Sequence, residues 1–429
     1  MLTAAFEPLF APLALPNGAV LPNRIAKAAM EENLAAEGQV PGKALWTLYR
    51  RWAHGGVGLQ ITGNVMVDPS AMTGPGGVVL DARAPLAPFE TWAREAKSGG
   101  GLVWMQINHP GRQTYADLGQ GAVAPSAVPV DIGKFSNLLA QPRALTAEEI
   151  AGIVERFAVT ARRAEEAGFD GVQVHAAHGY LLSQFLSPLV NRREDAWGGS
   201  RENRARMLFD VIKAVRARVS PRFAVAVKLN SADFQKGGFD ADDARWVVEQ
   251  LNGMAVDLVE LSGGSYESPA MQGSPSDSGQ GEARPKTSTA AREAYFVDFA
   301  RDIAKVASMP IMVTGGVRRR EVALAALAAD GALPGVPVVG IARALAFAPD
   351  LPKAWRKPEG LDVTLPEVTW KSRELSGLAV MALTKAQMNR LAAGKAPARK
   401  LSPVLTLAGQ QMKQRAQGKR YRAWRLKNP

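Results

Sequence analysis

The stretch "TAEEIAGIVERFAVTARRAEEAGFDGVQVHAAHGY" (146–180) joins a helix to a strand through one tight turn. Thr146 stands where an N-cap belongs, and Glu149 three residues on completes a capping box, each side chain satisfying the other's backbone N–H. Ile150, Ile153, Phe157 and Ala161 then fall on one helical face. Gly168 ends the helix, as a residue free to adopt the left-handed conformation does. The run "GVQV" (171–174) follows as a strand without polar alternation, the pattern of a strand covered on both faces. At its end come His175, His178 and Tyr180. Two imidazoles and a phenol are costly in a core and useful at the mouth of a strand.

The same unit recurs along the chain. Short apolar runs rich in β-branched residues occur at "RIAKAAM" (24–30), "VGLQIT" (57–62), "GLVWMQI" (101–107), "FAVAVKL" (223–229), "LVEL" (258–261), "IMVTG" (311–315) and "VVGIA" (338–342). Helical stretches lie between most of them. One is 200–219, with Ser200 as its cap and Met207, Val211, Ile212 and Val215 as its stripe. Eight such strands over about 320 residues fit one (β/α)8 TIM barrel better than the doubly wound sheet that is the runner-up. No G-x-G-x-x-G follows the first strand, which disfavours a dinucleotide Rossmann site. We expect a barrel over 1–370 and a helical, basic C-terminal extension over 371–429. The polar segment 262–289 follows strand six and reads equally as a substrate wall or a surface loop.

The chain has no cysteine, so disulfides, thiolate metal sites, iron–sulfur clusters and cysteine nucleophiles are excluded. Its N-terminus lacks a basic opening run, no 18-residue apolar run is present, and a cytoplasmic, unanchored protein is the expectation. The net charge of +12 is uneven: from Lys371 onward 14 Lys/Arg face only Glu374, leaving the first 370 residues near neutral. The alternating basic and aromatic residues of 413–429 read as a solvated or subunit-contact arm, with no fold-level motif for a nucleic-acid partner. In "LSGLAVMALTKAQMNRLAAG" (375–394), Leu375, Leu378, Met381, Met388 and Leu391 make an apolar face for the barrel or for a neighbouring subunit of a homo-oligomer.

In a barrel the reactive groups stand at the C-terminal ends of the strands. Those ends carry Met30, Glu31 and Glu32; Gln106, Asn108 and His109; His175, His178 and Tyr180; and Lys228 and Asn230. "TGG" (314–316) after strand seven and Arg343 after strand eight are what a phosphate needs, backbone N–H groups and a guanidinium. The spaced histidines also admit a metal site, but no third ligand is near in sequence and no metal is expected.

Here the pattern becomes specific. "VHAAHGYLLSQFLSPLVNRREDAWGGSRENRAR" (174–206) resembles the signature of the old yellow enzyme family of FMN-dependent ene-reductases. "LFAPLALPNGAVLPNRIAKAAM", "WMQINHPGRQ", "APSAV", "VTGG" and "GIARALAFAPDLP" resemble its other segments, so the likeness spans roughly 8–353. The resemblance implies FMN as cofactor, NADPH or NADH as reductant, and an activated alkene such as an enone or nitroalkene as substrate in a ping-pong cycle. It implies that His175 and His178 hydrogen-bond the substrate's carbonyl or nitro oxygen, and that Tyr180 protonates the α-carbon while flavin N5 delivers hydride to the β-carbon. It further implies that Gln106 meets the pyrimidine edge, that Lys228 lies near N1/O2, and that Gly315, Gly316 and Arg343 hold the phosphate. Ala29, Met30 and Asn64 would contact the isoalloxazine. One departure stands out: Glu31 occupies a position where the family often has threonine or cysteine. The alternative reading is a flavin-free TIM-barrel enzyme acting on a phosphorylated substrate.

Overall fold

Eight parallel strands close on themselves in the computed structural model, which describes residues 6–264, 267 and 289–428. They are β1 (Ile25–Lys27), β2 (Leu59–Ile61), β3 (Leu102–Asn108), β4 (Gly171–Ala176), β5 (Ala224–Asn230), β6 (Leu258–Ser262), β7 (Ile311–Thr314) and β8 (Val338–Ile341). Each pairs in parallel with the next, and β8 pairs back with β1. All eight expected strands form, and the fold is a TIM barrel. The loop expected over 262–289 lies mostly outside the described residues.

The connecting helices form the outer ring: α1 (Lys43–Ala53), α2 (Ala87–Lys97), α3 (Ala147–Glu166), α4 (Leu181–Leu186), α5 (Arg201–Arg218), α6 (Ala241–Leu251), α7 (Thr289–Ala304) and α8 (Arg320–Leu327). The capping box at the start of α3 is complete, with Thr146 accepting from the Glu149 N–H and Glu149 accepting from the Thr146 N–H. Ile150, Ile153, Phe157 and Ala161 are buried on the sheet, as the spacing predicts. Ser200 likewise caps α5 through the Asn203 N–H.

The barrel interior changes character along its axis. Its lower part is apolar, filled by Ala26, Leu59, Ile61, Trp104, Leu258, Met312 and Val338. A short antiparallel hairpin, Leu13–Ala14 with Val20–Leu21, closes that end with Leu15 and Leu21. Toward the C-terminal ends the interior becomes polar, with Gln106, Gln173, His175, Lys228 and Glu260 all buried. Buried polar groups persist only where partners satisfy them, so the polar half is where partners must be sought.

After β8 the chain passes through α9 (Ala344–Phe347) into α10 (Arg373–Ala392) and α11 (Pro403–Lys427). The seam of α10 keeps Met388 and Leu391 of the expected face, both buried, and differs from it in the first turns. Ala379, Leu383, Gln387 and Leu391 are buried, whereas Leu375 is 41% exposed. Small residues let α10 approach α1 closely, and this close packing outranks the larger but outward Leu375. Part of the terminal arm, expected to be a solvated or subunit-contact arm, packs on the chain's own barrel. Gln417 and Tyr421 of α11 are buried, Tyr421 against Met66, Met72, Val79 and Leu118. The Tyr421 hydroxyl lies within hydrogen-bond distance of two acceptors, the Pro69 carbonyl and Gln120 Oε1.

Candidate active site

β4 carries His175 to the catalytic end, and the turn after it brings His178 and Tyr180 back over the strand. The His175 ring stands edge-on to Tyr180 at 4.9 Å and to His178 at 5.1 Å between centroids. Tyr180 is the N-cap residue of α4, and its side chain is buried. His178 holds a left-handed backbone conformation, φ 61°, in a turn of a kind that non-glycine residues rarely enter. Two contacts fix it there: its N–H donates to Asn230 Oδ1 at 3.0 Å, and its carbonyl accepts from Gln113 Nε2 at 2.9 Å.

The histidines are held neutral. Burial lowers the pKa of His175 well below the usual value, with His178 and Lys228 adding repulsion; burial and then Lys228 do the same for His178. His175 Nδ1 accepts the Ala177 N–H at 3.2 Å, so its proton resides on Nε2, which is left as a donor. His178 Nε2 lies 2.8 Å from Ser262 Oγ. His109 at the end of β3 is also buried and lowered to about 4, its Nδ1 accepting from the Gly111 N–H.

Below this cluster runs a chain of four side chains on three adjacent strands and β3. Gln106 Nε2 donates to Gln173 Oε1, Gln173 Nε2 donates to Glu260 Oε2, and Lys228 Nζ pairs with Glu260 Oε1, each at 2.7 Å. The register makes this inevitable: Gln106 opposes Gln173, and Lys228 opposes Glu260. With its amide nitrogen committed to Gln173, Gln106 offers its remaining capacity from the other N–H and the carbonyl oxygen. Glu260 and Gln173 were not anticipated from the sequence. The signal was present, since a charge inside "LVEL" must find an opposite charge when its strand is buried on both sides.

A second buried group ties the loops after β1 and β2 together. Lys27 Nζ donates to the Ile61 carbonyl at 2.8 Å and to Tyr49 at 3.1 Å, and pairs with Glu32 at 3.4 Å. Burial outweighs the pull of Glu32 and lowers Lys27 to about 8. The Gly63 N–H reaches both Tyr49 and Glu32. A Cβ on Gly63 would lie 2.2 Å from the Met30 carbonyl, so this junction fits only glycine. It brings the backbone of Gly63, which precedes Asn64, against the Met30 carbonyl. Ala29, Gly315, Gly316 and Arg343 lie on the loops after β1, β7 and β8 at the same face, Gly316 with φ 81°.

The polar atoms left over at this face suit a bound flavin nucleotide. Both amide atoms of Asn108, Ser231 Oγ and Thr314 Oγ1 are buried and have no hydrogen-bond partner among the described residues, at the ends of β3, β5 and β7. Orphaned groups of this kind call for a ligand or water. Among the described residues no cluster of three metal-ligating side chains occurs, and no helix is long and apolar enough to cross a membrane.

Residues 8–359 match the NADH:flavin oxidoreductase / NADH oxidase family, and the chain belongs to it, as an old yellow enzyme-type protein. It is therefore an oxidoreductase that uses FMN with a nicotinamide reductant. A relative, the NADH-dependent flavin oxidoreductase iliE of Hypocrea jecorina, is 40% identical over 365 residues, 80% of this chain and 87% of that protein. The NADH oxidase of Thermoanaerobacter brockii is 35% identical over 337 residues, and there the chain spans only 48% of the relative's length. Among solved structures, morphinone reductase superposes with a TM-score of 0.67 at 26% identity, covering 83% of this chain and 91% of that one.

Proposed function

We propose that the protein reduces the C=C bond of activated alkenes, enones or nitroalkenes, with Tyr180 as proton donor. The observation that carries this reading is the edge-on cluster of His175, His178 and Tyr180 above the Gln106–Gln173–Glu260–Lys228 chain. Bound FMN would supply the hydride chemistry between NADH or NADPH and the substrate. Gly315, Gly316 and Arg343 would receive its phosphate, Gln106 and Lys228 its pyrimidine end, and Ala29, Met30 and Asn64 its ring.

His175, neutral and with its proton on Nε2, donates to the substrate's carbonyl or nitro oxygen and draws electron density from the double bond. His178 supports the same oxygen in the tautomer that Ser262 allows. Tyr180, beside His175, supplies the proton to the α-carbon as a general acid. Lys228 would set its positive charge against the negative charge a reduced flavin gathers, and Glu260 anchors that ammonium in place.

The reading is tested by anaerobic turnover of 2-cyclohexenone with NADH or NADPH, following the product by gas chromatography. One cyclohexanone per nicotinamide oxidised is expected. No saturated ketone without oxygen, with nicotinamide consumed only once air is admitted, would overturn the alkene assignment and leave a plain NADH oxidase.

A further inference from the structure

The family match ends at 359, yet α10 and α11 reach the loops on the catalytic face of the barrel. Gln417 Nε2 donates to the Asn33 carbonyl at 2.8 Å, and Arg422 and Arg425 bond the carbonyls of Asp117 and Gly119. One of these contacts touches the departure at Glu31. Lys385 Nζ of α10 donates to Asn33 Oδ1 and lies 3.8 Å from Glu31 Oε2, while Glu31 Oε1 accepts from Thr73 Oγ1. Both side chains of the pair retain some exposure, 16% for Lys385 and 29% for Glu31. Behind Lys385 stands Lys413, hydrogen-bonded to Asn389 at 2.6 Å. Burial, with repulsion from Lys385 and Arg420, lowers Lys413 to about 8. The tail thus brings one ammonium, Lys385, to the Glu31 carboxylate on the loop after β1, with Lys413 behind it.

We propose that Lys385 is a positioning residue for redox chemistry: it balances the Glu31 carboxylate beside the flavin, so that a negative charge is tolerated where the reduced cofactor is itself negative. The inference rests on placing the flavin over the loop that carries Met30, as proposed above. Glu31 alone would oppose the anionic reduced flavin by Coulomb repulsion; with Lys385 at its side the pair is close to neutral. The extension is then a wall of the catalytic mouth and sets the potential of the cofactor as well as packing on the barrel.

The test compares the two-electron reduction potential of holoenzyme for wild type, Lys385→Gln, Glu31→Gln and the double variant, against a reference dye. A unit charge roughly 10 Å away in a protein dielectric changes the oxidised-to-reduced ratio by about tenfold, equal to about 30 mV for a two-electron couple. Lys385→Gln is expected to lower the potential by about that amount and Glu31→Gln to raise it. The double variant should return near wild type. A merely structural pin cannot give opposite signs, so unchanged potentials, or shifts in one direction for both variants, would overturn the proposal. Should Lys385→Gln fail to retain FMN, Glu31→Gln, which leaves the lysine in place, decides the sign alone. The potential is read without any alkene, so failure here is distinct from failure of the alkene-reductase reading.

Discussion

Replacing Tyr180 with phenylalanine removes one oxygen from the cluster and little else. The ring is 6% exposed and packs edge-on against His175 with an interplanar angle of 86°, contacts that phenylalanine retains. Loss of the hydroxyl's own hydrogen bond costs on the order of 1 kcal/mol of stability. Loss of a positioned general acid costs about 10²- to 10⁴-fold in rate, or roughly 3–5 kcal/mol of barrier. The two effects fall on different steps. On the proposed mechanism, reduction by NADH needs no proton from Tyr180, whereas reoxidation by an enone does. Anaerobic stopped-flow absorbance separates them: the bleaching phase of the Tyr180→Phe protein should stay within about threefold of wild type, and the return phase with 2-cyclohexenone should slow by about 10²-fold or more. Equal slowing of both phases would refute the reasoning, since it would mean that Tyr180 shapes the site and donates no proton. An unslowed return phase would refute it equally.

Further expectations follow from single contacts. Arg343→Ala should weaken FMN binding by about 10- to 100-fold, the worth of a charge-assisted phosphate contact of roughly 1.5–3 kcal/mol, while leaving riboflavin affinity unchanged in fluorescence titrations. Gly63→Ala places a Cβ 2.1 Å from Glu32 Oε2; purified protein should be destabilised by about 1–3 kcal/mol in urea melts and carry less flavin. His109 is lowered to about 4 from 6.5 chiefly by burial. Its unfolded form therefore binds a proton that the native form refuses, and stability falls as pH drops from about 6.5 toward 4, by at most about 1.4 kcal/mol per pH unit. His109→Gln should flatten that stretch of the stability curve, measured by denaturant midpoints across pH.

Much of the barrel was legible in the chain because its signals are local. A parallel strand covered on both faces reads as an apolar run, and the helices announce themselves by caps and stripes, Thr146–Glu149 most clearly. The positions of the candidate residues at the strand ends were legible for the same reason, since a fixed architecture tells where to look. What escaped are pairs made across long separations. Lys228 with Glu260 and Gln106 with Gln173 depend on strand register, and nothing near either residue in sequence names its partner. Lys385 with Asn33 spans 352 residues and Gln417 with Asn33 spans 384. The docking of Tyr421 on the β2 and β3 loops likewise hid in what reads as a solvated basic arm. Large apolar residues misled there as well: Leu375 faces outward, while Ala379 and Ala382 make the close approach.

The most direct test of the account is an anaerobic spectral titration of the purified holoenzyme, first with NADH and then with 2-cyclohexenone. The account predicts flavin bands that bleach with the nicotinamide and return fully on adding the enone, without oxygen. Bands that bleach and stay bleached until air is admitted would contradict it, showing a flavin oxidoreductase whose His175–His178–Tyr180 cluster does not activate an alkene for reduction.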